Sequence, residues 1–233
     1  MPNTQNFCKS RLLSTLCISL GLSAAGTLGV SGATSVVVGA VGLSALVGLA
    51  PEPDPIPLRW QLSVEPGPLR VMTVDVPSTG PRSYYFFTYK VTNTSNTDLL
   101  FAPSFDLGGD TGELRRSGRD VPPEVSRRIL ADLESKEIQD QIGVVGLLLQ
   151  GEENAREGVV IWPATATHAS GLTIYAAGFS GETRQVQIKD PKSGSNKNVM
   201  LRKTLMLRYQ GPGEIRNMAG REVELVEERW IMR

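Results

Sequence analysis

Forty consecutive residues, Leu12 through Pro51, carry no charged side chain. Lys9 and Arg11 stand just before the run, and the stiff acidic stretch Pro51-Glu52-Pro53-Asp54-Pro55-Ile56-Pro57 follows it. About 20 apolar residues cross the hydrocarbon core of a bilayer, so this run is long enough with residues to spare. A basic end, a long apolar stretch and a Pro-rich spacer together describe an export signal or a membrane anchor. Two fates stay open. Leu12 to Leu22 has the length of a signal-peptide core, with Ser23-Ala24-Ala25 or Ser31-Gly32-Ala33 as a small-residue cleavage site. Alternatively, residues 30–50 form an uncleaved helix on which Ala40, Ser44 and Gly48 recur every four residues, a spacing that permits close packing in lipid. The expected organisation is a signal peptide or anchor helix over 1–50, a Pro-rich linker over 51–57 and one domain over 58–233. The expected location is outside the cytoplasm, in the periplasm or at the cell surface.

Cysteine usage agrees, because Cys8 and Cys17 are the only two and both precede the domain. Leu16 stands before Cys17, where a lipidation signal needs a small residue, which argues against a lipoprotein. Taking away the first 50 residues removes Lys9 and Arg11 and no acid, leaving 22 basic against 24 acidic side chains. A balance so close to neutral gives no reason to expect nucleic acid as a partner. Lys189, Lys192, Lys197, Arg202 and Lys203 gather around Pro191-Lys192-Ser193-Gly194-Ser195-Asn196, which reads as a solvated hairpin loop.

Period-two alternation dominates the domain. Leu58, Trp60, Leu62 and Val64 point one way and Arg59, Gln61 and Ser63 the other, which predicts a strand ended by Glu65-Pro66-Gly67-Pro68. Leu69 to Val76 predicts a second strand, and Pro77-Ser78-Thr79-Gly80-Pro81 a turn. Ser83 to Thr92 carries aromatic and β-branched residues on both faces, the pattern of a central strand covered on both sides. Pro122 and Pro123 suit a helix start. Val125, Ile129 and Leu133 then recur every four residues, with Glu124 and Arg128, and Asp132 and Lys136, as favourable pairs, so 122–140 reads as an amphipathic helix. The type of the apolar run Ile142 to Gln150 stays open. Strands are expected over 158–162, 172–177, 184–189 and 199–209. In the last segment Val223 and Leu225 hold one parity while Val226, Trp230 and Met232 hold the other, which predicts a β-bulge near Val226. Some nine short strands with one helical insertion point to an all-β antiparallel sandwich.

The stretch Phe87-Thr88-Tyr89-Lys90-Val91-Thr92-Asn93-Thr94-Ser95-Asn96-Thr97-Asp98-Leu99 resembles the aromatic strand and hairpin of bacterial immunoglobulin-like and fibronectin-III-like domains. Pro163 through Gly178, with Leu172-Thr173-Ile174-Tyr175 as its strand, looks like a later hairpin of such a sandwich. With Leu201-Arg202-Lys203-Thr204-Leu205 and Arg229-Trp230-Ile231-Met232-Arg233, the pattern is similar to uncharacterised exported proteins of planctomycete-type bacteria. The resemblance implies an immunoglobulin-like fold and an exported location, and it implies no particular chemistry.

The search for chemistry is short. His168 is the single histidine, so a His-rich zinc site and a Cys-His nucleophile pair are excluded, and Gly178-Phe179-Ser180-Gly181 departs from a nucleophile elbow because Glu182 fills the last position. Asp106, Asp110 and Glu113 on a glycine-rich stretch are a calcium candidate, although the spacing is not that of an EF-hand. Glu152, Glu153 and Glu157 could pair for glycoside hydrolysis with Trp162 as a sugar platform, provided two carboxyls face each other. Asn93-Thr94-Ser95 fits a glycosylation sequon but is equally a turn. No catalytic set and no cofactor is therefore expected. The leading expectation is a non-catalytic binding or envelope-structural module whose partner is a protein or a cell-envelope component. The alternatives are a regulator of extracellular proteases, touching its target through a loop at 103–121, and a carboxylate-dependent glycan hydrolase.

Overall fold

The computed structural model describes residues 50–56, 59–77, 79–110, 112–164, 169–190 and 194–233, all within the unit Val47–Arg233. The leader or anchor expected over 1–50 lies outside the described residues, apart from Ala50. Among the described residues no helix is long and apolar enough to cross a membrane.

Among the described residues the fold is all-β with one α-helix. Its strands are β1 (Ser63–Val76), β2 (Gly80–Asn93), β3 (Leu99–Phe101), β4 (Ser104–Gly109), β5 (Leu114–Arg116), β6 (Ile138–Gln139), β7 (Gly146–Leu148), β8 (Gly151–Pro163), β9 (Gly171–Ala177), β10 (Thr183–Lys189), β11 (Asn196–Gln210) and β12 (Glu222–Met232); α1 is Pro123–Asp132. One continuous sheet runs β5-β4-β9-β11-β12-β1-β2-β8-β6, with β10 on β11, while β3 and β7 form a separate pair. Every pairing between strands is antiparallel except the two-residue contact of β6 with β8.

This sheet is folded over on itself. Five strand spacings separate β4 from β2, which in a flat sheet would be roughly 24 Å. Yet the rings of Tyr89 on β2 and Phe105 on β4 lie 5.0 Å apart. The fold line is the join of β1 to β12, which have only two registered pairs, Leu69 with Val223 and Arg70 with Glu222. Two layers therefore face each other across a core that includes Tyr85, Phe87, Tyr89 and Trp162 from one and Phe105, Leu107, Ile174, Leu207 and Tyr209 from the other. Phe87 meets Phe105 and Tyr209 edge-on at 6.2 Å, and Phe179 closes the cluster 5.7 Å from Tyr89.

The two-sided pattern of β2 has its physical reason here. Tyr85, Phe87, Tyr89 and Val91 enter the inter-layer core, while Tyr84 and Phe86 point outward beneath α1. Val125 and Ile129 of α1, both fully buried, close over Tyr84, Phe86, Val74, Val76, Val159 and Ile161.

Three expectations need correction. Pro66 does not end a strand, because β1 runs on through Pro66-Gly67-Pro68 by way of a register shift between Pro66 and Leu69. Tyr209 Oη donates to the Gly67 carbonyl at 3.0 Å, so the irregular segment is anchored from across the core. The helix stops at Asp132 rather than reaching 140, since Glu134 takes a left-handed φ of 51° and Ile138–Gln139 pairs with β8. Within the helix Glu124 reaches Arg127, one turn along at 3.6 Å, rather than Arg128. The stretch 103–121 is a β4–β5 hairpin and its return rather than a free loop. By contrast, the bulge falls at the expected residue: Arg208 faces Glu227 and Tyr209 faces Leu225, leaving Val226 over.

Candidate functional site

The site that stands out is a cavity of about 450 Å³ between α1 and the outer face of β8. Its apolar walls are Val121, Leu130, Val159 and Ile161, with Ile142 at the mouth. Pro122 and Pro123 begin α1 without a side-chain cap; proline at the first helical position has no N–H to leave unpaired. The helix leans on the sheet through Val125 and Ile129, so the cavity opens along its flank beside Ser126, Arg127 and Leu130.

The cavity's polar end is built by two separate segments. Ser117 N–H donates to the Phe105 carbonyl at 2.9 Å and Gly118 N–H to the Ile161 carbonyl at 3.0 Å, so this dipeptide bridges the two layers of the sheet. Gly118 has a φ of +70°, a conformation that suits glycine, and a Cβ there would lie 3.0 Å from Gln141 Oε1. Gln141 comes from the turn after β6, which Asp140 holds by accepting the N–H groups of Ile142 at 3.1 Å and Gly143 at 2.7 Å. Ser117 Oγ and Gln141 Oε1 are both buried and have no hydrogen-bond partner among the described residues. A buried polar atom without a partner forfeits on the order of 1–3 kcal/mol. Both residues line the same apolar cavity, and a small molecule with an apolar body and a hydrogen-bonding head would supply the missing partner.

The residues singled out from sequence are dispersed. Asp106 pairs with Arg233 at 3.0 Å, Glu113 lies 3.8 Å from Arg115, and Asp110 accepts the backbone N–H groups of Ser170 and Gly171 at 3.1 and 3.0 Å. Among the described residues no group of three His, Cys, Asp or Glu side chains could hold a metal ion. Glu152 and Glu153 border a shallow depression beside Thr94 and Ser95, while Glu157 lies opposite Lys90 within the sheet. Trp162 is fully buried in the core and offers no face to a sugar. Asn93 is 1 % exposed; its side chain donates to the carbonyls of Thr97 and Leu148 and accepts from Ser95, which makes it the organiser of its turn. His168 lies outside the described residues.

Sequence reasoning missed Ser117, Gly118 and Gln141, and no local pattern marks them. It also placed Lys203 in an exposed basic cluster, whereas Lys203 is 3 % exposed and bonded to Glu182. A signal for this was present, because Lys203 interrupts the apolar parity of Val199, Leu201, Leu205, Leu207 and Tyr209.

Comparison with known protein families, curated proteins and solved structures returned no match for the chain or its fold.

Proposed function

We propose that this chain is a non-catalytic binding module of immunoglobulin-like kind that works outside the cytoplasm, as part of the cell envelope or facing it. The uncharged run after Lys9 and Arg11 supports the location. The two-layer antiparallel body supports the kinship with exported immunoglobulin-like domains. The one observation that carries binding is the cavity under α1, whose apolar walls are joined by Ser117 and Gln141, two residues whose buried oxygens lack a partner among the described residues. Gln141 Oε1 can only accept, and the Ser117 hydroxyl can donate or accept, so the favoured ligand has an apolar body ending in an N–H or O–H group.

The reading is tested with a thermal-shift panel of small aromatic amides, phenols and medium-chain alcohols on the full chain. Hits should raise the melting temperature of the unaltered chain and leave that of Leu130→Trp, whose cavity is filled, unmoved. A panel without a hit, or hits that act equally on Leu130→Trp, would refute the assignment. Mass spectrometry of the native N-terminus tests the location, with a cleaved leader or a membrane-retained start as the expected result and a cytosolic intact chain as the refuting one.

A further inference from the structure

We propose that Glu182, Arg184, Lys203 and Trp230 form a peptide-binding groove for an extended acidic segment flanked by prolines, and that Glu52–Pro55 of this chain is its built-in, displaceable occupant. The groove is distinct from the cavity under α1. Lys203 takes a core-facing place on β11, and Glu182 ends the turn into β10; their side chains are 3 % and 5 % exposed, with Nζ and Oε2 3.0 Å apart. Burying two charges there carries a desolvation cost that a pair of apolar residues would avoid. What the pair does with its remaining capacity explains its chemistry. Lys203 Nζ donates to the Asp54 carbonyl at 3.4 Å, and Glu182 Oε1 accepts the Asp54 N–H at 3.5 Å, so one ion pair reads both backbone groups of a single residue.

The side chain of that residue is read separately. Arg184 Nη2 meets Asp54 Oδ2 at 2.9 Å, and Nη1 donates to the Glu52 carbonyl at 3.2 Å. Pro53 and Pro55 border one depression together with Gln61 and Trp230, whose ring lies 5.8 Å from Lys203 Nζ. Prolines on both sides suit this arrangement. They hold the segment extended before it binds and bring no N–H groups of their own, so between the two prolines the groove has to satisfy only the Asp54 N–H. An aromatic wall with a proline-locked extended segment is a recurring mode of peptide recognition.

The strap is held loosely. Asp54 and Arg184 are 41 % and 35 % exposed, so their pairing is screened by water and salt, and the two bonds to Asp54's backbone are long. A tethered segment competes at an effective concentration in the millimolar range, so a free peptide of the same chemistry binds visibly only when the strap is disabled.

The test is fluorescence anisotropy of a labelled peptide with the sequence of residues 50–57, titrated with the full chain. Asp54→Lys in the chain sets an ammonium against Arg184 and Lys203 and should eject the strap; Asp54→Ala is the second, milder variant. The peptide should bind either variant at least about tenfold more tightly than it binds the unaltered chain. Binding should weaken as salt rises from about 50 to about 500 mM, and it should vanish when Arg184→Ala is added or when the peptide itself carries Lys at the position of Asp54. No saturable binding to either variant, with circular dichroism matching the unaltered chain, would overturn the proposal. So would equal binding to altered and unaltered chains, or binding indifferent to Arg184→Ala.

Discussion

The buried pair of Lys203 and Glu182 makes the sharpest energetic prediction. Replacing Glu182 by Leu leaves an ammonium that is 3 % exposed with, among the described residues, only the Asp54 carbonyl, 3.4 Å away, and the Trp230 ring as company. Stripping one partner from a pair so desolvated costs about 3–5 kcal/mol. In a domain of this size each kcal/mol moves the melting temperature by about 2–4 °C, so Glu182→Leu should melt roughly 6–20 °C lower. Lys203→Met should fall by a similar amount, since it strands the carboxylate instead. The double variant removes both desolvation terms together and should return to within about 1 kcal/mol of the unaltered chain, or exceed its stability. Urea unfolding followed by circular dichroism gives the four stabilities and, through the cycle, the coupling between the residues. Single variants that lose less than about 1 kcal/mol would place the pair among ordinary surface pairs. A double variant that loses the sum of the singles would mean that the two residues act independently, and either result refutes the reasoning.

Three further outcomes follow from the core. A Cβ added at Gly158 would sit 2.6 Å from Tyr89 ring atoms, so Gly158→Ala should destabilise by about 1–3 kcal/mol in urea unfolding, and an unchanged midpoint would mean the ring swings aside freely. Phe87→Ala removes the ring that meets both Phe105 and Tyr209 and should cost about 3–5 kcal/mol; a loss below about 1 kcal/mol would contradict its central place. Burial pushes the Tyr85 phenol up to about 12 from 10.0, and burial raises those of Tyr89 and Tyr209 as well. The unfolded chain then releases these protons first, so stability is whole below about pH 10 and drains away as pH climbs toward about 12. Urea midpoints that stay flat from about pH 9 to pH 11.5 would contradict this.

Several structural features were legible in the residues because they are local. The parity conflict between Leu225 and Trp230 announced the bulge at Val226, since a pleated strand alternates faces strictly unless a residue is inserted. The two-faced apolar pattern of β2 announced a strand covered on both sides. The length of α1 was over-read, because the four-residue spacing reaches Leu133 and the charge pair of Asp132 reaches Lys136, whereas the geometry at Glu134 and the capture of Ile138 by β8 stop the helix. Pro66 was over-read as a terminator, because a bulge anchored by Tyr209 carries the strand past it.

Side-chain alternation and turn residues along the chain were enough to determine the all-β class, the two covered faces of β2 and the turn at Asn93, because those properties depend on neighbours a few positions away. Folding the sheet over itself was a tertiary decision: it brings Tyr89 against Phe105, sets Ser117 beside Gln141 under α1, and turns Lys203 inward onto Glu182 and the strap. Each of those meetings joins segments distant in the chain, and a strand's own pattern holds no record of which other strand will lie across from it.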